Sequence, residues 1–125
     1  MAICHNKKYE REFVKLMVQQ GLTCFRIAGS GSAEDAVCDC VLYLPEPSLV
    51  EVKATKEEIF YMRKQIREQL TLMKNACEKN NLIPILAIKF KNRGWNIYRI
   101  DSFENIPFDE KMVSYGNLRT DIITA

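Results

Sequence analysis

The sequence predicts a single α/β domain with a mixed five-stranded sheet flanked by helices, in the order α-β-β-β-α-β-β. Three observations predict it. Two long segments carry apolar residues at helical spacing. A near-symmetric string around Pro45 reads as a β-hairpin. Residues 83–90 form an almost unbroken apolar run, the mark of a strand covered on both faces.

The first helix is expected over about residues 7–20, ending at Gly21. Tyr9, Phe13, Val14, Leu16, Met17 and Val18 fill about half of its wheel at roughly 100° per residue. Glu10 falls inside that apolar arc, whereas Glu12 falls on the water side with Arg11, Lys15 and Gln19. A strand follows over about 22–28, then the small, flexible loop Gly29-Ser30-Gly31-Ser32-Ala33-Glu34-Asp35-Ala36. The hairpin occupies about 37–54. Thr55-Lys56-Glu57-Glu58 fits a capping box and should start the second helix. That helix runs to about 79, with Ile59, Met62, Ile66, Leu70, Met73 and Cys77 as its buried stripe and Gln69 inside the same arc. Asn92-Arg93-Gly94 is a turn signal before a last strand over 95–100. Beyond Asp101 periodicity fades. Asn105-Ile106-Pro107 and Tyr115-Gly116-Asn117 read as loops, with a short helical turn near 110–113. The core is thus expected over about 7–101 of a one-domain chain spanning 1–125, with 102–125 as a tail.

Composition removes several classes. Hydrophobic content of 47% and charged content of 27% are ordinary for a soluble globular protein. No apolar run reaches the roughly 18 residues of a membrane span. The start, MAICHNKKYEREF, lacks the apolar stretch of a secretory signal. A cytoplasmic protein without membrane contact is expected. The five cysteines (Cys4, Cys24, Cys38, Cys40 and Cys77) are odd in number, contain no CxxC, and are joined by a single histidine, His5. Reduced, buried thiols fit better than a zinc site. Cys38 and Cys40 flank Asp39 and are expected to share the opposite, core-facing side of the strand. The net charge of +2 is unequally spread: residues 1–101 carry 16 basic against 12 acidic residues, and 102–125 carry 2 against 4.

The chemistry lies in the hairpin. Eleven residues separate Asp39 from Glu51-Val52-Lys53. Counting outward from Pro45 pairs 43 with 47, 41 with 49 and 39 with 51, so Asp39 should face Glu51 with Cβ atoms roughly 4.5–5.5 Å apart. Lys53 projects from the same strand face as Glu51. Two facing carboxylates repel unless a cation meets them. Two acids and a lysine can hold a divalent cation and an activated water, which is what metal-dependent phosphodiester hydrolysis needs. A lysine there can also stabilise developing negative charge. Glu10 is the candidate third acid, since an inward-facing glutamate requires a partner. The bland alternatives are an ion pair from Glu10 to Arg26 or Lys53, and an ordinary charged sheet face for Asp39 and Glu51.

Taken together, Glu10, Asp39 and Glu51-Val52-Lys53 resemble the PD-(D/E)xK nuclease core, whose fold is restriction-endonuclease-like. The closer resemblance is to the archaeal Holliday-junction resolvases of that superfamily. Tyr9-Glu10-Arg11-Glu12-Phe13 is similar to their helix-one acid segment, and Arg26-Ile27-Ala28-Gly29-Ser30 to their arginine and Gly/Ser loop. Leu86-Ala87-Ile88-Lys89-Phe90 with Gly94-Trp95 is similar to their fourth strand and turn. The resemblance covers about residues 7–101. It departs at Cys38, where the family often has proline, and in the long loop Gly29 to Val37.

The resemblance implies a homodimer that makes paired nicks in a four-way DNA junction using Mg²⁺, with Mn²⁺ expected to substitute. It implies catalytic roles for Glu10, Asp39, Glu51 and Lys53, with the three acids at the metal. Arg11, Arg26, Ser30, Ser32 and Lys89 match positions near bound phosphates. A wider DNA face could include Lys7, Lys8, Lys56, Arg63, Lys64, Lys91 and Arg93, binding phosphates without reading bases. Tyr61, Leu72, Trp95 and Tyr98 are the candidate dimer interface. The rival readings are a nuclease of the same core acting on nicked, flapped or linear DNA, and a non-catalytic nucleic-acid-binding protein.

Overall fold

The computed structural model of the chain describes residues 6–27, 38–114 and 123–124. Helix α1, Asn6–Gln19, buries Phe13 and Met17 and ends where Gly21 adopts φ 85°. Only glycine takes that left-handed conformation at little cost. Strands β1 (Cys24–Arg26), β2 (Cys40–Tyr43) and β3 (Pro47–Thr55) follow. Next come β4 (Ile59–Phe60) and helix α2 (Lys64–Asn80), then β5 (Ile83–Phe90) and β6 (Gly94–Arg99). The described chain closes with β7 (Ile106–Pro107), α3 (Glu110–Ser114) and β8 (Ile123–Thr124).

The expected sheet is present as β1-β2-β3-β5-β6, and the two-residue β8 extends its edge beyond β6. The β2–β3 hairpin keeps the register counted from the sequence, with Tyr43 opposite Pro47 and Val41 opposite Leu49. Strands β3 and β5 are parallel, joined by α2 as the crossover. β5 pairs antiparallel with β6.

Alternation along β3 and β5 builds two half-cores. Val50, Val52, Ile85 and Ala87 pack toward Phe13 and Met17 of α1. Leu86, Ile88 and Phe90 pack toward Leu70, Met73 and Cys77 of α2. Both faces of β5 are therefore covered, as its unbroken apolar run requires. Glu51 and Lys53 alternate with the α1-facing valines, so they lie on the α2 side.

Several expectations need correction. The second helix begins at Lys64, not at Thr55. The Thr55 hydroxyl accepts the Glu57 amide at 3.1 Å, a local turn rather than a cap three residues on. Residues 59–60 instead form β4, paired with β7 in a separate ribbon, so Asn105-Ile106-Pro107 is partly strand. Gln69 is exposed rather than inside the buried stripe, and Val18 is 53% exposed. The first strand is only three residues long. Cys38 and Cys40 are both buried, but in opposite half-cores: Cys38 with α2 and Cys40 with α1. Alternation breaks between them, because the ladder ends at Cys40 and the Asp39 amide donates to the Val50 carbonyl at 2.9 Å. Ser30, Ser32, His5, Cys4 and Tyr115-Gly116-Asn117 lie outside the described residues.

Candidate active site

The break in the ladder is what sets the site. Asp39 sits just beyond the paired end of β2, and its Oδ2 accepts the Val52 amide of β3 at 2.9 Å. One carboxylate oxygen is thereby fixed by the backbone, and the residue is only 8% exposed. Glu51, on β3 beside that amide, is 7% exposed. The Asp39 charge bears on the carboxyls of both Glu51 and Glu10.

Electrostatics follow from this crowding. Burial, then the Asp39 charge, pushes Glu51 up to about 7, although Lys53 pulls the other way. Lys53 Nζ is 3.3 Å from Glu51 Oε2 and donates to Gln69 Oε1 at 2.8 Å. Gln69 reaches in from α2 and fixes the ammonium from the far side. The helical wheel puts Gln69 in the buried arc, whereas the structure leaves it exposed, on the face that meets Lys53.

Glu10 projects from α1 and is 4% exposed, as the apolar arc anticipated. Burial and the Asp39 charge raise its pKa, against the Arg26 guanidinium. Arg26 Nε donates to Glu10 Oε1 at 3.1 Å. The bland ion-pair alternative is therefore present, and it coexists with the approach of Glu10 to Asp39.

Two residues assigned to other roles are committed within the fold. Glu12 is not simply turned to water: its Oε2 accepts Lys89 Nζ at 2.8 Å and Trp95 Nε1 at 2.9 Å. Lys89 is thereby engaged with a carboxylate of the chain. Trp95 is 6% exposed and packs on Phe13, which removes it from any outer surface. Nothing local in the sequence announces this cluster, because Glu12 lies 77 and 83 residues from its two partners along the chain. Arg11 is exposed.

Among the described residues, no three His, Cys, Asp or Glu side chains form a set able to hold a metal ion. Two carboxylates with a lysine still fit a hard divalent cation. Mg²⁺ takes oxygen donors, keeps several of its waters and is often held by only one or two carboxylates. A buried pair of like charges is also where such a cation is most favoured. No helix among the described residues is long and apolar enough to cross a membrane.

Comparison with known proteins places the same segments in one family. A family model described as archaeal Holliday junction resolvase (Hjc) matches residues 4–114. The solved structure of Archaeoglobus fulgidus Hjc, a Holliday junction resolvase from an archaeal hyperthermophile, superposes with a TM-score of 0.60. The match is at 23% identity and covers 85% of this chain and 88% of that one. At that identity the superposition shows a shared fold.

Proposed function

Because the chain belongs to the archaeal Holliday junction resolvase family of endonucleases, we propose that it resolves four-way DNA junctions by paired, symmetric nicks in a Mg²⁺-dependent hydrolysis. The observation that carries the chemistry is the buried Asp39 and Glu51 pair with Lys53 beside it.

Asp39 and Glu51 would hold the cation, and Glu10 would assist through it or its water. When bound, Mg²⁺ supplies Lewis-acid activation of water and neutralises charge at the phosphate. The chain's residues do the positioning. Gln69 and Glu51 grip Lys53 from two sides, so its ammonium is directed rather than free to roam. Lys53 orients the attacking water and stabilises charge as it builds on the phosphoryl oxygens. Water attacks in line, an O–P bond forms, and the bond to the 3′-oxygen breaks. The attacking water gives up one proton to solvent and the 3′-oxygen takes one from solvent, leaving a 3′-hydroxyl and a 5′-phosphate. Arg26 holds Glu10 in place and offsets the repulsion between its carboxylate and Asp39.

The proposed assembly is a homodimer, since one chain carries one such site and resolution needs two related cuts. With Trp95 buried, the exposed face of α2 around Leu72, which is 64% exposed, is the better interface candidate. A cleavage panel tests the function: four-way, nicked, flapped, linear duplex and single-stranded DNA, each with Mg²⁺. Preferential cutting of the four-way junction in symmetric pairs is the expected result. Equal cutting of linear duplex would replace this reading with a less selective nuclease of the same core.

A further inference from the structure

A cleft of about 390 Å³ opens at the end of β3, immediately beyond Lys53. Ala54 and Thr55 form its floor, and Lys56, Arg63 and Lys91 bring positive charge to it, with Glu57 as the one acid in its lining. Its position is set by both elements that hold Lys53. Along β3, Thr55 follows Lys53 by two residues, roughly 7 Å at about 3.3 Å per residue. Along α2, Ile66 lines the cleft one turn before Gln69, which binds Lys53.

The three cations differ from four other basic groups of the described chain. Arg26, Lys53, Lys89 and Arg93 each make a salt bridge with a carboxylate of the chain. Among the described residues, Lys56, Arg63 and Lys91 make none, although all three are exposed. Two of them are nonetheless held. The Arg63 guanidinium lies 5.6 Å from the Tyr61 ring and the Lys91 ammonium 5.7 Å from the Tyr9 ring. Aromatic faces orient a cation without neutralising it. The backbone under the cleft is also tied down, because the Lys91 amide donates to the Thr55 carbonyl at 2.9 Å.

We propose that this cleft is a phosphate-binding subsite, in which Lys56, Arg63 and Lys91 hold the DNA backbone beside the scissile phosphate. The ligand is a phosphodiester of the strand being cut or its neighbour. Successive phosphates of one strand lie about 3.4 Å apart along the duplex axis, so a subsite roughly 7–10 Å beyond Lys53 falls within a few nucleotides. The subsite fixes the strand's path across Asp39 and Glu51 and reads no base. It rests on the nuclease reading and assigns to that site the contact that places its substrate.

The test compares two triple variants. Lys56→Ala/Arg63→Ala/Lys91→Ala empties the cleft of charge. Lys15→Ala/Lys74→Ala/Lys79→Ala removes the same charge elsewhere. Both are placed on Asp39→Asn protein for binding to a four-way junction across a salt series, and on unmodified protein for cutting. The cleft variant should bind at least tenfold more weakly at moderate salt, with a log–log salt slope shallower by about two to three. Lys56→Arg/Arg63→Lys/Lys91→Arg should restore binding. Equal losses in the two triple variants, or unchanged slope and affinity in the cleft variant while unmodified protein cuts junctions, would overturn the subsite and leave the nuclease reading standing. Failure of unmodified protein to bind or cut any DNA would remove both.

Discussion

The Asp39 carboxylate accepts a backbone N–H that an amide oxygen can also accept. Its Oδ2 accepts the Val52 N–H, and an asparagine oxygen would accept it as well. Asp39→Asn should therefore keep the fold and the junction binding while losing cutting by a factor of about 10³ or more, the scale expected when charge stabilisation at the reacting centre is removed. A junction mobility-shift assay beside a cleavage assay separates the two effects. Retained cutting in the variant would take Asp39 out of the chemistry. A second readout does not depend on activity. Added Mg²⁺ should raise the melting temperature of the unmodified protein, because a ligand binding only the folded state stabilises it, and should leave Asp39→Asn unmoved. At this scale much of the site was legible in the sequence. The inward turn of Glu10 followed from the wheel, and the hairpin count gave the register as far as Cys40 opposite Val50; the ladder ends there, so the hold of the Val52 amide on Asp39 was not legible. The engagement of Lys89 was not legible, since it depends on Glu12, 77 residues away in the chain.

Helix α1 is fastened to the far strands by one acid. Glu12 receives Lys89 from β5 and Trp95 from β6. Burial alone would raise its pKa, but the hydrogen bonds from Lys89 and Trp95 and the Lys89 charge outweigh that and lower it. A lowered folded-state pKa means stability that is present above the unfolded value of 4.5 and is lost as pH falls through the folded one. Glu12→Gln should cost about 1 kcal/mol at neutral pH, a modest figure because the carboxyl is partly solvated, and the gap should close in acid. Urea melts of both proteins at pH 7 and pH 3.5 measure this. A pH-independent gap would mean that packing, not charge, is what was lost. The start of α2 shows how an element can mislead. Ile59, Met62 and Ile66 continue the helical stripe, and Thr55-Lys56-Glu57-Glu58 imitates a cap. The period of two that replaces the stripe exists only in the fold, since Ile59-Phe60-Tyr61-Met62 is apolar throughout: Phe60 and Met62 are buried, while Ile59 and Tyr61 are exposed. The partner that makes residues 59–60 a strand is Ile106–Pro107, in a segment with no periodicity of its own.

Two cuts related by symmetry require two sites related by symmetry, and the described residues of one chain supply one. A two-fold dimer is the simplest assembly that places a second Asp39–Glu51 pair opposite the first. A net charge of only +2 does not set the copies strongly against each other. On α2, Leu70 and Met73 are fully buried against the sheet, whereas Leu72 on the same helix is 64% exposed. A large apolar side chain directed to water from a helix already packed on its other face is a natural centre for a self-complementary contact. Sedimentation equilibrium at micromolar concentration should give twice the chain mass. Leu72→Asp should shift the protein toward monomer, because two like charges would then meet across the two-fold axis. That variant should retain its melting transition, since Leu72 contributes little to the chain's own core. On a four-way junction it should yield single nicks in place of paired ones. An unmodified protein that sediments as a monomer and still nicks in pairs would show that symmetry comes from the junction, with two independent chains binding its equivalent arms.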